Sequence, residues 1–254
     1  MTTLWIGEVA AACRASAVDY LDIIIDQAGL DFSVIPALNA LTVPWLSLYR
    51  GLPEEFIVDD APLVARLVLD DIQQMAWLQE ISQQAAVKAP LLLLCSAWAL
   101  PSLANWLTQC MDCLQEGRGG ILRFYDTRIF PLLFTHILNE EQQSPLLRPA
   151  LFWAWQDMDG RSRGLNGNGT PPARGEKSQK IELSDRQLEQ LMCVCDVVVL
   201  LGHCAPPAGV YASRQALFSD CYQGMLEATD QGIILDEARE AWVMKRWLAT
   251  GATA

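Results

Sequence analysis

Histidine, basic charge and unbroken apolar sequence are all scarce in this chain, and each scarcity excludes something. Among 254 residues there are two histidines, His136 and His203. Both stand in apolar sequence, where an imidazole is more often a hydrogen-bonded interior group than a catalyst. No Gly-x-Ser-x-Gly elbow, no His-Glu-x-x-His pair and no phosphate loop ending in Gly-Lys-Ser/Thr is present. Residues 164–169 are glycine-rich, but they follow no strand and open no helix, so they make no dinucleotide fingerprint. Lys and Arg number 18 against 30 Asp and Glu, a net charge of −12. That balance argues against a nucleic-acid binder, which neutralises phosphates with clustered cations. The one basic stretch, 160–180 at net +4, is rich in Gly and Pro and reads as a solvated loop. Long apolar runs are missing too. Residues 89–111 carry no charge, but Pro90 and Pro101 break them, and a strand over 90–97 followed by an amphipathic helix over 101–116 fits better than a span of about 20 residues. The first residues have neither a basic n-region nor a cleavage pattern. A soluble, cytoplasmic protein without membrane insertion is expected.

Cysteine is plentiful, with eight residues, and without a secretory signal these are expected to be free thiols. Cys110 and Cys113 form one close pair, Cys193 and Cys195 another, with His203 and Cys204 nearby. Cys110 and Cys113 continue the apolar series Leu103, Trp106, Leu107, Cys110, Cys113, Leu114 on one helix face, and Cys195 continues Leu188, Leu191 and Met192. Core packing is therefore the expectation over zinc, although a Cys-based zinc-binding regulator stays as an alternative.

What is present alternates short apolar runs with amphipathic stretches over the first 160 residues, the pattern of an α/β arrangement. Strands are expected at 20–25, 45–49, 63–69, 91–97, 121–125 and 149–156. Asp31 or Ser33 is placed to cap a short helix running towards Leu41. Residues 50–55 form a turn. Asp70 or Asp71 is placed to cap a helix burying Ile72, Met75, Ala76 and Ile81. Gly117, Gly119 and Gly120 are expected to end the helix that begins at 101. The segment 161–180 is a hairpin excursion or a linker. Beyond it the pattern is helical. Ser184 and Gln187 form a capping box with Leu183 and Leu188 as its staple, another helix covers about 211–228, and a last one after Asp236 buries Ala238, Trp242 and Leu248. The run 197–201 fits either a helix or a strand. The fold class is thus α/β, a mixed sheet with flanking helices in an N-terminal lobe (1–160), followed by a smaller all-helical lobe (181–254).

The densest chemistry lies at 119–130, where a turn, an apolar run and a helix start bring Arg123, Asp126 and Arg128 together. Paired arginines suit a phosphate or carboxylate, so an α/β enzyme or ligand-binding domain using this cluster is one reading. The structural reading has Asp126 capping the helix that buries Ile129, Leu133, Phe134, Ile137 and Leu138, with Pro131 near its regular start, and pairing with one of the arginines. No nucleophile or base is recognisable beside them. The structural reading is preferred, and no catalytic residue, cofactor or metal is expected. Nine tryptophans supply both core and possible interface anchors, and Trp153 and Trp155, on one face of a strand, are the candidates for partner binding.

Three segments then resemble the effector-adaptor, or effector-chaperone, family of the bacterial type VI secretion system. They are Tyr20-Leu-Asp-Ile-Ile-Ile-Asp26; Ser47-Leu-Tyr-Arg-Gly-Leu-Pro-Glu-Glu55 with Ala61-Pro-Leu-Val64; and Leu122-Arg-Phe-Tyr-Asp-Thr-Arg-Ile129. In the third, Arg123, Phe124, Tyr125, Asp126 and Arg128 carry the family signature, and Thr127 stands where the family usually has proline. The helix pair around Gly232 is similar to the family's C-terminal helical lobe. The resemblance implies a protein that is not an enzyme, that binds a toxic effector and that helps load it onto the VgrG spike.

Overall fold

Seven residues, Tyr20–Asp26, form the central strand β1, buried almost throughout. Apolar β-branched residues on both faces are what a strand covered on both sides requires. The computed structural model describes residues 3–85 and 91–251. In it the chain forms two compact units, Met1–Glu182 and Leu183–Ala254, so 161–180 belongs to the first.

The elements of the first unit are α1 (Thr3–Ala15), β1, α2 (Ile35–Ala40), β2 (Trp45–Ser47), β3 (Pro62–Val68), α3 (Ile72–Ala85), β4 (Leu92–Cys95), α4 (Leu100–Met111), β5 (Asp112–Gln115), β6 (Arg118–Ile121), the single turn α5 (Phe130–Leu132) running into a π-helical turn (Leu133–Ile137), α6 (Glu140–Leu147), β7 (Phe152–Gln156) and β8 (Ser162–Asn166). Six strands form one sheet in the order β2-β3-β1-β4-β7-β8. The expected sheet with flanking helices is present, and each of its five ladders is antiparallel. β3 and β4, joined through α3, run in the same direction but lie on either side of β1. The strand–helix–strand order of the sequence is therefore satisfied without a parallel ladder.

Register divides the sheet into two faces. Leu21, Ile23 and Ile25, with Leu63, Ala65, Leu67 and Leu93, join a core cluster that includes Trp5, Ile6, Val9 and Cys13 of α1 and Leu78 and Ile81 of α3. Asp22, Ile24 and Asp26 face the other way, opposite Arg66, Val64 and Pro62 on β3. α4 and the segment from Leu122 to Leu138 lie on that second side. Thr108 of α4 donates to the Leu48 carbonyl at 2.9 Å, and the Phe130 ring packs tilted against Trp153 at 5.2 Å between centroids.

Several local expectations are corrected. α4 stops at Met111, and Asp112–Gln115 pairs with Arg118–Ile121 as a hairpin. Cys113 thus sits on a strand, and Gly119 and Gly120 are strand residues, not helix terminators. The strand expected at 121–125 ends at Ile121. Asp71 does receive the Gln73 and Gln74 N–H groups at the start of α3, but Ile72 is 84% exposed and Ala76 is exposed. The buried stripe of α3 is Gln74, Leu78, Ile81 and Ser82. α2 begins after Val34 with no side-chain cap; Ser33 instead receives the Ile35 N–H. Pro90 lies outside the described residues.

α6 starts with a capping box of Asn139 and Gln142. Its C-terminal neighbour Arg148 holds the segment after β8, pairing with Glu176 at 2.5 and 2.9 Å and donating to the carbonyls of Thr170 and Pro171. Residues 167–180 are therefore a strap fastened to the first unit.

The second unit is three helices, α7 (Asp185–His203), α8 (Arg214–Asp230) and α9 (Asp236–Gly251). The Ser184/Gln187 capping box forms, and 197–201 is helical. Gly232, with φ of 69°, makes the turn between α8 and α9, a left-handed position that glycine adopts without a Cβ penalty. α9 buries Arg239, Val243 and Trp247, whereas Ala238 is exposed and Trp242 half-buried; the side chain of Leu248 lies outside the described residues.

Candidate functional site

The site is built at the end of β1. Because side chains alternate along a strand, Asp22 and Asp26 fall on the second face, four residues apart and both buried. Arg66, directly opposite Asp22 in the ladder, forks onto it with Nε–Oδ1 at 2.7 Å and Nη2–Oδ2 at 2.8 Å. Its Nη2 also donates to the Trp98 carbonyl at 2.8 Å, and the guanidinium lies 3.8 Å over the Tyr20 ring. Burial pushes the Asp22 carboxyl up to about 6, against the pull of Arg66.

Gln27 follows, with its side chain 1% exposed and its amide fully used. Nε2 donates to the carbonyls of Val58 and Ala61, and Oε1 accepts from Ser33 Oγ and Val34 N, at 3.0–3.2 Å. One side chain thereby ties the loop after β1 to the loop before β3.

The signature residues approach from the other side of the sequence. Leu122 to Ile129 is a series of tight turns: Phe124 N donates to Leu122 O, Asp126 N to Arg123 O, and both Ile129 N and Phe130 N to Asp126 O. Arg123 Nη2 meets Asp26 Oδ2 at 2.5 Å. Burial works against the Arg123 charge, but Asp26, Tyr125 and Asp126 together outweigh it and raise the arginine's pKa. The Asp26 carboxyl is raised by burial and drawn back by Arg123. Phe124 packs edge-on against Trp153. Tyr125 is buried, its hydroxyl bonded to the side chain of Tyr49, and burial lifts its pKa well above the usual phenol range.

Asp126 grips Arg128 with both oxygens, Oδ1 from Nε at 2.9 Å and Oδ2 from Nη2 at 2.5 Å, while Oδ1 also receives the Arg128 N–H. The carboxylate closes a turn over 126–128 and is not the N-cap of the helix, which starts at Phe130 with Pro131 in its first turn. A proline there loses no hydrogen bond.

Each arginine of the cluster is thus engaged by a carboxylate, and an external anion would have to displace Asp26 from Arg123 or Asp126 from Arg128. Asp26 and Tyr49 complete the cluster. Sequence reasoning missed both as partners, because nothing local to residue 26 or 49 points 70 to 100 residues ahead. Trp153 and Trp155 are 0% and 7% exposed; Trp153 Nε1 donates to the Leu146 carbonyl and both rings flank Phe130. A partner could reach either indole only by displacing Phe130 and the segment that carries it.

The remaining candidates scatter. His136 and His203 are exposed, not interior. Cys110 is buried in α4 against the Pro145 carbonyl and Ser178. Cys193 is buried but Cys195 is exposed, since α7 turns Leu191, Val194, Val197 and Leu200 inward and leaves Met192 and Cys195 out. Among the described residues no group of three or more His, Cys, Asp or Glu is placed to hold a metal ion, and no helix is long and apolar enough to cross a membrane.

Residues 23–144 match the family model described as a domain of unknown function, DUF4123. Neither the curated proteins nor the solved structures hold a match to the chain. The matched span runs from within β1 into α6. It contains Asp26, Gln27, Tyr49 and every signature residue, and it stops before β7, β8 and the three-helix unit. Residues 23–144 thus carry the DUF4123 domain, a domain of type VI secretion effector adaptors.

Proposed function

We propose that this protein is a cytoplasmic, non-catalytic adaptor that binds a type VI secretion effector and helps load it onto the VgrG spike. The match of residues 23–144 to this adaptor domain carries the reading. The strand-end cluster is compatible with it, because Arg123 is spent on an ion pair that joins separate segments of the fold, and Asp126 and Arg128 on one that closes a local turn. The surface that meets a partner therefore lies elsewhere than at the signature. An enzyme using the same cluster would need those pairs opened and a nucleophile or base brought to them.

Co-expression with a type VI effector and a VgrG spike protein from the same organism tests the proposal. The adaptor reading expects at least one of them to co-purify with the protein and to be protected from degradation by it. Effector and spike that behave identically with and without it would end this reading.

A further inference from the structure

We infer that the paired loops at the end of β1 dock a basic segment of the partner protein, a stretch in which Lys or Arg flanks exposed apolar residues. The inference rests on the adaptor reading above and names the surface it uses. Phe56 is 81% exposed, Val58 50% and Phe32 48%. These three belong to two loops, 30–34 and 54–61, that the buried Gln27 amide fastens together through Val58 O, Ala61 O, Ser33 Oγ and Val34 N. Val58 and the neighbour of Phe32 thus contact the same side chain. The loops present their aromatic residues from a fixed base, which lowers the ordering cost of binding.

Charge selects the occupant. The two loops carry Asp31, Glu54, Glu55, Asp59 and Asp60 and no Lys or Arg. Large exposed apolar side chains that alternate along two loops with carboxylates match a segment that pairs apolar residues with cations. A second copy of this chain would bring five like charges against five, which opposes self-association through this surface. Nucleic acid is repelled by the same carboxylates. The patch lies within the matched family span.

The test compares the wild type with the triple variant Phe56→Ser, Asp59→Lys, Asp60→Lys. It measures binding to the purified effector and spike at rising salt, and adds a photo-crosslinking phenylalanine analogue at position 56. All three substituted side chains are exposed, so the melting temperature should hold. Expected are a loss of about tenfold or more in affinity in the variant, wild-type binding that weakens with salt, and crosslinks to a partner segment containing Lys or Arg. Variant binding within about twofold of wild type, or crosslinks to an uncharged or acidic segment or to a second copy, overturns this surface and leaves the adaptor reading standing. A wild type that binds neither protein overturns both.

Discussion

Arg123 and Asp26 meet at 2.5 Å across 97 residues of sequence, and they are unequally buried, with 46% of the arginine side chain exposed against 7% of the carboxylate. That inequality sets the consequence of removing either partner. Arg123→Ala leaves a buried carboxylate without its cation, and is expected to cost about 1–3 kcal/mol, below the full value of a buried pair because the arginine is half in water. The readout is a lower urea midpoint. Adding Asp26→Asn should recover part of the loss by removing the stranded charge. An unchanged midpoint accompanied by lost partner binding would transfer Arg123 from the fold to a ligand site.

Asp22 gives a pH dependence whose sign runs against its ion pair. Its pKa rises from 3.8 to about 6 on folding, because burial exceeds the help from Arg66. The folded state therefore holds the proton more tightly than the unfolded chain. The contribution of this group to stability is fully present below about pH 4 and is lost as pH rises to 6. Wild type minus Asp22→Asn, measured as urea midpoints across that window, should fall by roughly 3 kcal/mol and level off above pH 6. A difference that rises through the same window would mean that the Arg66 pair outweighs burial.

Gly167 has no room for a side chain. A Cβ there would stand 2.1 Å from the Ala150 carbonyl oxygen and 2.4 Å from that of Leu147. Both are backbone atoms, so relief requires moving the strap away from the turn before β7. Gly167→Ala should cost about 3 kcal/mol or more, seen as a lower melting temperature or loss of soluble protein. Gly164→Ala, whose Cβ would meet the Trp153 carbonyl at an ordinary 3.5 Å, is the matched control and should stay within about 1 kcal/mol.

Arg239 binds the second unit together. From α9 it donates to Asp196 on α7, to Thr229 on α8 and to the Ile233 carbonyl in the turn between α8 and α9. Arg239→Met keeps the aliphatic stem and strands these acceptors, and should lower the stability of the helical unit by about 2–4 kcal/mol. Hydrogen exchange of α7–α9 amides would locate the loss in this unit.

Legibility followed the range of the forces. β1, β3, β4 and β7 were readable because strands covered on both faces are written as apolar runs, and the start of α7 because Ser184 and Gln187 cap it locally. The end of α4 was not readable. Leu103, Trp106, Leu107 and Cys110 keep helical period up to Cys113, and only the pairing of 112–115 with 118–121 breaks it. The two-residue loop at that hairpin has Glu116 and Gly117 at φ of 51° and 76°, the geometry of a tight hairpin turn. A glutamate in place of the usual Asn or Asp disguised it, and Gly117 read as a helix stop. In α3 the polar Gln74 takes a core position because Val68 N and Leu41 O use its amide, so apolar counting chose Ile72 instead. α1 and α6 carried signals that went unread, an apolar series at 5, 6, 9, 10 and 13 and the Asn139/Gln142 box. The site was half legible: Arg123, Asp126 and Arg128 stand together in sequence, while Asp26, Gln27 and Tyr49 join them only in the fold.

β4 and β7 are neighbours, with Cys95 beside Phe152, so everything from 96 to 151 is an excursion that leaves the sheet and returns to the adjacent position. Synthesis proceeds from the N-terminus, and β1 to β4 emerge before that excursion does. Until it follows, the side of β1 that carries Asp22, Ile24 and Asp26 lacks α4 and the signature turns as cover. A ribosome pausing in this region would hold out a bare sheet face with two carboxylates awaiting burial. The signature supplies that cover, and β7 and β8 follow it in the chain to complete the sheet.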